Sequence, residues 1–181
     1  MSVYYWNTSD NYQHSHRRFE WAVCNGMLVC INISICPKLI SSIKVGDIIL
    51  AYEPKVHKIS KDGTGSDGYC CKCPYNMPGR QSFIGSFELK NEPIIIRSIE
   101  ELEKIDIKLF DNWYSENVSK PVEEKREYLT KYFENNSIVI FPVEFRKTIN
   151  YSLKGIKIKM IRGFDKLHMN KTALEYLDMI I

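Results

Sequence analysis

No stretch of this 181-residue chain approaches the ~18 consecutive apolar side chains that a membrane-spanning helix needs. The longest apolar run near the N-terminus, Met27 to Ile33, is broken by Asn32. The opening Met-Ser-Val-Tyr-Tyr-Trp-Asn has neither the basic segment nor the apolar segment of a signal peptide, so an intracellular location, cytoplasm or nucleus, is expected. Also missing are G-x-S-x-G, the P-loop, G-x-G-x-x-G and H-E-x-x-H, which leaves a nucleophile elbow, a phosphate cradle, a dinucleotide site and a zinc-protease site without a basis. Glycine and proline are ordinary at 9 and 7, and no repeat or low-complexity segment occurs, so collagen-like, fibrous and disordered classes are excluded.

Six cysteines are present, and in an intracellular chain they are expected to be free thiols. Cys70, Cys71 and Cys73 include one pair at C-x-x-C spacing, but a tetrahedral zinc site takes four ligands and a second pair is missing. Cys24, Cys30 and Cys36 are scattered through predicted core elements, and His57 is the one histidine near the cysteine loop. No metal and no cofactor are therefore expected. His14, His16, His57 and His168 belong to no nucleophilic motif, and the carboxylates Asp62, Asp67 and Glu88 have no spacing that suggests metal-assisted hydrolysis. The expectation is a protein without catalytic residues.

What is present is a hydrophobic content of 44%, 12% aromatic residues, 26% charged residues and a net charge of +3, enough apolar material for one globular domain over residues 1–181. The charge is unevenly spread. Residues 100–134 hold ten acids against six bases, whereas residues 144–171 hold eight bases against Glu144 and Asp165. The basic block suits a polyanion as well as it suits an ordinary solvated strand pair.

The hydrophobic pattern predicts a strand at Val3–Trp6, a polar loop, and a helix opening at Ser15 and stopped by Asn25-Gly26. Further strands are expected at Met27–Ile35, Ile48–Tyr52 and Phe83–Leu89, with another at Pro93–Ile96. Residues 54–82 read as a long loop insertion. Helices are predicted over Ile99–Trp113, Pro121–Phe133 and Thr172–Ile180. A strand at Ser137–Phe145 is expected to be edge or bulged because of Pro142, and Leu153–Arg162 alternates as a half-exposed strand. Strands with flanking helices and no βαβ rhythm give an α+β class with a small mixed, barrel-like sheet.

Six rings fall in the first 21 residues: Tyr4, Tyr5, Trp6, Tyr12, Phe19 and Trp21. Rings beside Asn7, Ser9 and Asn11 are a composition that can stack a planar base and read its edge, and equally one in which Tyr5 and Trp21 are core.

The order of these pieces resembles the PUA-like superfamily, and within it EVE and YTH-like domains. The aromatic strand Val3-Tyr-Tyr-Trp6 is followed by the helix Arg18-Phe-Glu-Trp-Ala-Val-Cys-Asn-Gly26. Lys44-Val-Gly-Asp-Ile-Ile-Leu-Ala-Tyr52 is similar to a K-x-G-D-x-I-x-x-Y strand, and Phe83-Ile-Gly85-Ser-Phe-Glu88 to an x-G-x-G-x-V element. Phe141-Pro-Val-Glu-Phe-Arg-Lys-Thr148 looks like the late P-V-x-W-x-K-T strand. Phe87 replaces the second glycine, Phe145 replaces the tryptophan, and the 54–82 insertion has no counterpart in the pattern. The resemblance implies a PUA-like small mixed β-barrel flanked by helices, and a non-catalytic module that binds DNA or RNA, with a base, often a modified one, taken into an aromatic pocket. By position it implies base contacts from Trp6, Asn7, Ser9, Asn11, Trp21 and Tyr52, and phosphate contacts from Arg17, Arg18, Arg146 and Lys147. The competing expectation is a protein–protein interaction module on the same core, a viral or defence-system factor engaging a partner through the acidic 100–134 segment.

Overall fold

The computed structural model describes residues 2–8, 15–30, 40–53, 81–105, 125–153 and 164–167. Seven strands and two helices organise them: β1 (Val3–Asn7), α1 (Ser15–Asn25), β2 (Met27–Cys30), β3 (Ile48–Glu53), β4 (Ser82–Leu89), β5 (Ile94–Ile96), α2 (Lys125–Phe133), β6 (Ile138–Ser152) and β7 (Phe164–Lys166). Residues 99–105 are also helical. The strands form one mixed sheet in the order β2-β6-β4-β3-β1-β7, with β5 pairing β6. β1 runs parallel to β3, and the other pairings are antiparallel.

The sheet curls on itself. Phe141 of β6 stacks on Phe164 of β7 at 4.4 Å between ring centroids, and Phe164 stacks in turn on Tyr4 of β1 at 5.6 Å. Strands far apart in the sheet order therefore touch across one face, which makes that face the concave one. Strand alternation sorts the rest. Tyr4, Trp6, Ile49, Ala51, Phe87, Leu89, Val139, Phe141, Val143 and Phe164 fill the inside of the curl. Tyr5, Ile48, Leu50, Tyr52, Phe83, Ile149, Leu153 and Leu167 form a second cluster on the convex face. A third cluster packs Val29, Ile96, Ile138 and Ile140 under Ile99, Leu102, Leu129 and Trp21. The architecture is a small α+β domain built on a curled mixed sheet.

Local chemistry explains the junctions. Gly26 ends α1 in the left-handed region (φ 64°) and donates to Ala22 O at 3.0 Å. In the turn Lys44–Asp47, Gly46 has φ 88°, the conformation a type II turn demands of its third residue. The buried Asp47 carboxylate accepts from Lys44 N at 2.9 Å and from Ser2 N at 2.6 Å, tying the turn to the start of β1.

One expectation is corrected. The late strand is not an edge strand over 138–142 and does not end at Phe145. β6 runs for 15 residues, with β2 on one side and β5 on the other at its start and β4 beyond. Its register against β4 shifts beside Arg146, so it is bulged, though not at Pro142. Pro142 is tolerated because it lies where the partner changes from β5, opposite residues 138–140, to β4, whose Leu89 faces Val143. Its carbonyl still accepts from Lys90 N at 2.9 Å. Most of the 54–82 insertion, the Leu153–Arg162 strand beyond Leu153 and the Thr172–Ile180 helix lie outside the described residues, as do the predicted helical stretches 106–113 and 121–124.

Candidate functional site

Buried polar side chains gather at one end of the sheet. Asn7 and Thr8 close β1, Glu53 closes β3 and Ser82 opens β4, and all four are buried. Because β1 and β3 are parallel, their carboxyl ends fall together. Thr8 binds back to Tyr52 O twice, through its amide at 3.0 Å and its hydroxyl at 2.9 Å, which fixes it beside the end of β3.

Register shows which of these share a face. Glu53 pairs with Ser82, and Ser82 pairs with Ser152. Their neighbours Tyr52, Phe83 and Tyr151 belong to the convex cluster, so Glu53, Ser82 and Ser152 lie on the concave side. Thr8, next after Asn7, whose register partner is Tyr52, continues the row onto β1. A polar row thus crosses four strands just beyond the apolar row of Trp6, Ala51 and Gly85. On β6 the same face carries Thr148, Asn150 and Ser152, all exposed, so the row opens to solvent at that side.

A bulge shapes this end. The β3–β4 register shifts between Ala51 and Tyr52, which leaves Ile84 unopposed and re-aims the residues on either side of it. As a result Ser82 and Ser86, four apart on one strand, face opposite ways: Ser82 with Glu53 on the concave side, Ser86 with Leu50 on the convex side. Neither hydroxyl finds a hydrogen-bond partner among the described residues, although both are buried. An unpaired buried hydroxyl costs about 1–3 kcal/mol. Gln81, just before β4, sits in the left-handed region at φ 51°.

Phe19 of α1 forms the inner wall. Its ring lies against Gly85 and meets Phe87 and Phe145 edge-on at 5.8 and 6.0 Å. Trp6 meets Phe87 at 6.4 Å, also edge-on. Phe87 and Phe145, which stand where the pattern of the resemblance has a glycine and a tryptophan, are therefore residues that hold Phe19 in place.

The rings expected to line one base pocket are dispersed. Trp6 is 2% exposed inside the curl, Tyr52 is 7% exposed in the convex cluster, and Trp21 is 5% exposed in the third cluster. Burial pushes the Tyr52 phenol above the ordinary tyrosine value. Asn7 and Tyr52 are register partners and share the convex side, whereas Trp6 pairs with Ala51 inside the curl; Ser9 and Asn11 lie outside the described residues. Thr8, Glu53 and Ser82 escaped sequence reasoning. Thr8 falls between Asn7 and Ser9 in a polar stretch, Glu53 stands just before the expected insertion, and Ser82 is its last residue, which the structure gives to β4; nothing local marks them as buried.

The cationic residues divide too. Arg146 makes ion pairs with Glu88 at 3.2 Å and Glu144 at 3.9 Å, and Lys90 bridges the same two carboxylates at 2.8 and 2.6 Å. The Lys90 hydrogen bond, more than the charge of Arg146, holds the Glu88 carboxyl below its ordinary range. Lys147 is exposed but pairs with Ser86, which assigns it to the convex side. Arg17 and Arg18 lie on α1 immediately before Phe19; the placement of their side chains is outside what is described. Among the described residues no group of three or more His, Cys, Asp or Glu side chains is placed to hold a metal ion, and no helix is long and apolar enough to cross a membrane. The cysteines Cys70, Cys71 and Cys73 lie outside those residues.

No family model matches the chain, and no curated protein matches it by sequence. Among solved structures, human THYN1 protein, in complex with DNA containing 5-methylcytosine, aligns over 99% of this chain and 97% of its own length, with 9% identity and a TM-score of 0.46. A likeness that loose transfers neither fold nor function.

Proposed function

We propose that this chain is a non-catalytic nucleic-acid-binding module that takes a single base, unmodified or modified, at the polar end of its concave face. The observation that carries this reading is the polar row Thr8–Glu53–Ser82–Ser152 set against the apolar wall of Trp6, Ala51 and Gly85. Apolar walls with a few fixed polar groups suit a flat ligand whose rim alone is polar, as a nucleobase is. The sequence resemblance to EVE and YTH-like modules supports the same reading, and its Lys44–Tyr52 element occupies the turn and strand that the resemblance implies. Arg17 and Arg18, adjacent to the Phe19 wall, are proposed to contact phosphates, which position the strand without specifying sequence. Arg146 is a weaker candidate because two carboxylates already engage it.

Fluorescence anisotropy with labelled single- and double-stranded DNA and RNA oligonucleotides, unmodified and methylated, at two salt concentrations, tests this. Binding is expected to weaken with salt in proportion to the phosphates neutralised. Glu53→Gln, in the polar row, is expected to weaken it further at fixed salt. Trp6→Phe is the informative ring substitution, since Trp6→Ala would cost about 3–5 kcal/mol of core and confound binding with unfolding. No binding to any probe at low salt would discard the reading in favour of a protein partner for the acidic segment.

A further inference from the structure

Ser82 and Ser86 form a natural matched pair. Both are buried on β4, and both carry an Oγ with no hydrogen-bond partner among the described residues. The bulge at Ile84 sends them to opposite faces. Ser86 turns to the side of Leu50, within the convex apolar cluster. Ser82, only 1% exposed, takes the concave side, in register between the Glu53 carboxylate and Ser152, whose strand opens to solvent. Each unpaired polar group in a folded interior calls for a reason, and a bond made only to a bound molecule is one of them.

Resting on the nucleic-acid reading above, we propose that the Ser82 hydroxyl is a specificity-determining group of the site and makes a hydrogen bond to one polar edge atom of the bound base. A hydroxyl can donate or accept, so it can meet either kind of atom on the rim of a base. The ligand class this fits is a planar heterocycle with ring or exocyclic nitrogen and oxygen on its rim, and not a sugar–phosphate segment held by charge. Such a bond is formed only in the complex. Its absence in the free protein gives a signature that a structural role lacks: removal of the hydroxyl relieves the free protein and penalises the bound one.

The experiment compares Ser82→Ala, Ser86→Ala and the unsubstituted chain, by thermal unfolding without ligand and by anisotropy with the tightest-binding oligonucleotide of the panel above. Both variants are expected to unfold at or above the temperature of the unsubstituted chain. Ser82→Ala is expected to weaken binding about threefold to tenfold, the range of one neutral hydrogen bond, with the salt slope unchanged because no phosphate contact is lost. Ser86→Ala is expected to leave affinity as it is. Equal affinity for all three chains would overturn the role of Ser82 while leaving nucleic-acid binding in place. Equal weakening by both variants would overturn it as well, since the effect would then belong to β4 at large. A lower unfolding temperature for Ser82→Ala would do the same, by showing that the hydroxyl is already satisfied in the free protein. If the unsubstituted chain binds none of the oligonucleotides, the nucleic-acid reading itself falls and the assignment of Ser82 falls with it.

Discussion

A methyl group at position 85 would lie 2.5 Å from Cε2 and 2.6 Å from Cζ of Phe19, far inside contact distance. The glycine thus lets an aromatic ring lie directly on a strand backbone, and Phe87 and Phe145 close around that ring. Gly85→Ala is expected to destabilise the protein by about 1–3 kcal/mol, the usual cost of overpacking, in urea unfolding. A shorter side chain in Gly85→Ala/Phe19→Leu is expected to recover part of it; additive losses would show that the ring is not what the glycine accommodates. At this scale the sequence is half legible. A glycine amid large strand residues announces a close approach, but not which residue approaches. The aromatic residues mislead more. Trp6, Trp21 and Tyr52 are partners only by the order of motifs in the resemblance, and alternation and helix facing send them into three separate clusters.

Elements were easier to read than their contacts, because periodicity and punctuation are local. The β1 strand, the helix from Ser15 to Asn25, the buried β3 and the β4 strand all lie where the hydrophobic pattern puts them. The exception is β6, where a proline reads as an interruption when only one strand is in view. With β5, β4 and β2 in place it marks a change of partner. The turn before β3 carries its own test. Asp47→Ala removes the acceptor of both Ser2 N and Lys44 N, and is expected to cost about 1–3 kcal/mol in chemical unfolding. Amide hydrogen exchange at those two residues is expected to accelerate with it. Asp47→Asn keeps one acceptor oxygen and is expected to lose less; equal losses would assign the effect to charge and not to the two hydrogen bonds.

At the scale of the whole molecule, closure of the curl rests on Phe164, which stacks on both Tyr4 and Phe141. Phe164→Ala is expected to cost about 3–5 kcal/mol. Hydrogen exchange is expected to show β7 and the facing edge of β1 losing protection ahead of the β3–β4 pair; uniform loss along the sheet would mean that the curl opens as one unit. This closure was not legible in the sequence, since no local pattern states that a late three-residue strand returns to the first one. It also has a temporal side. β1 is flanked by β3 on one edge and β7 on the other, and both are synthesised after it. At ~5–20 residues per second, translation from Tyr4 to its partner Lys166 takes roughly 10–30 s. Through that interval Tyr4 and Trp6 belong to a nascent strand whose second edge has nothing to pair with. The residue that closes the finished curl thus sets how long the growing chain must keep its most aromatic strand from other chains on the ribosome.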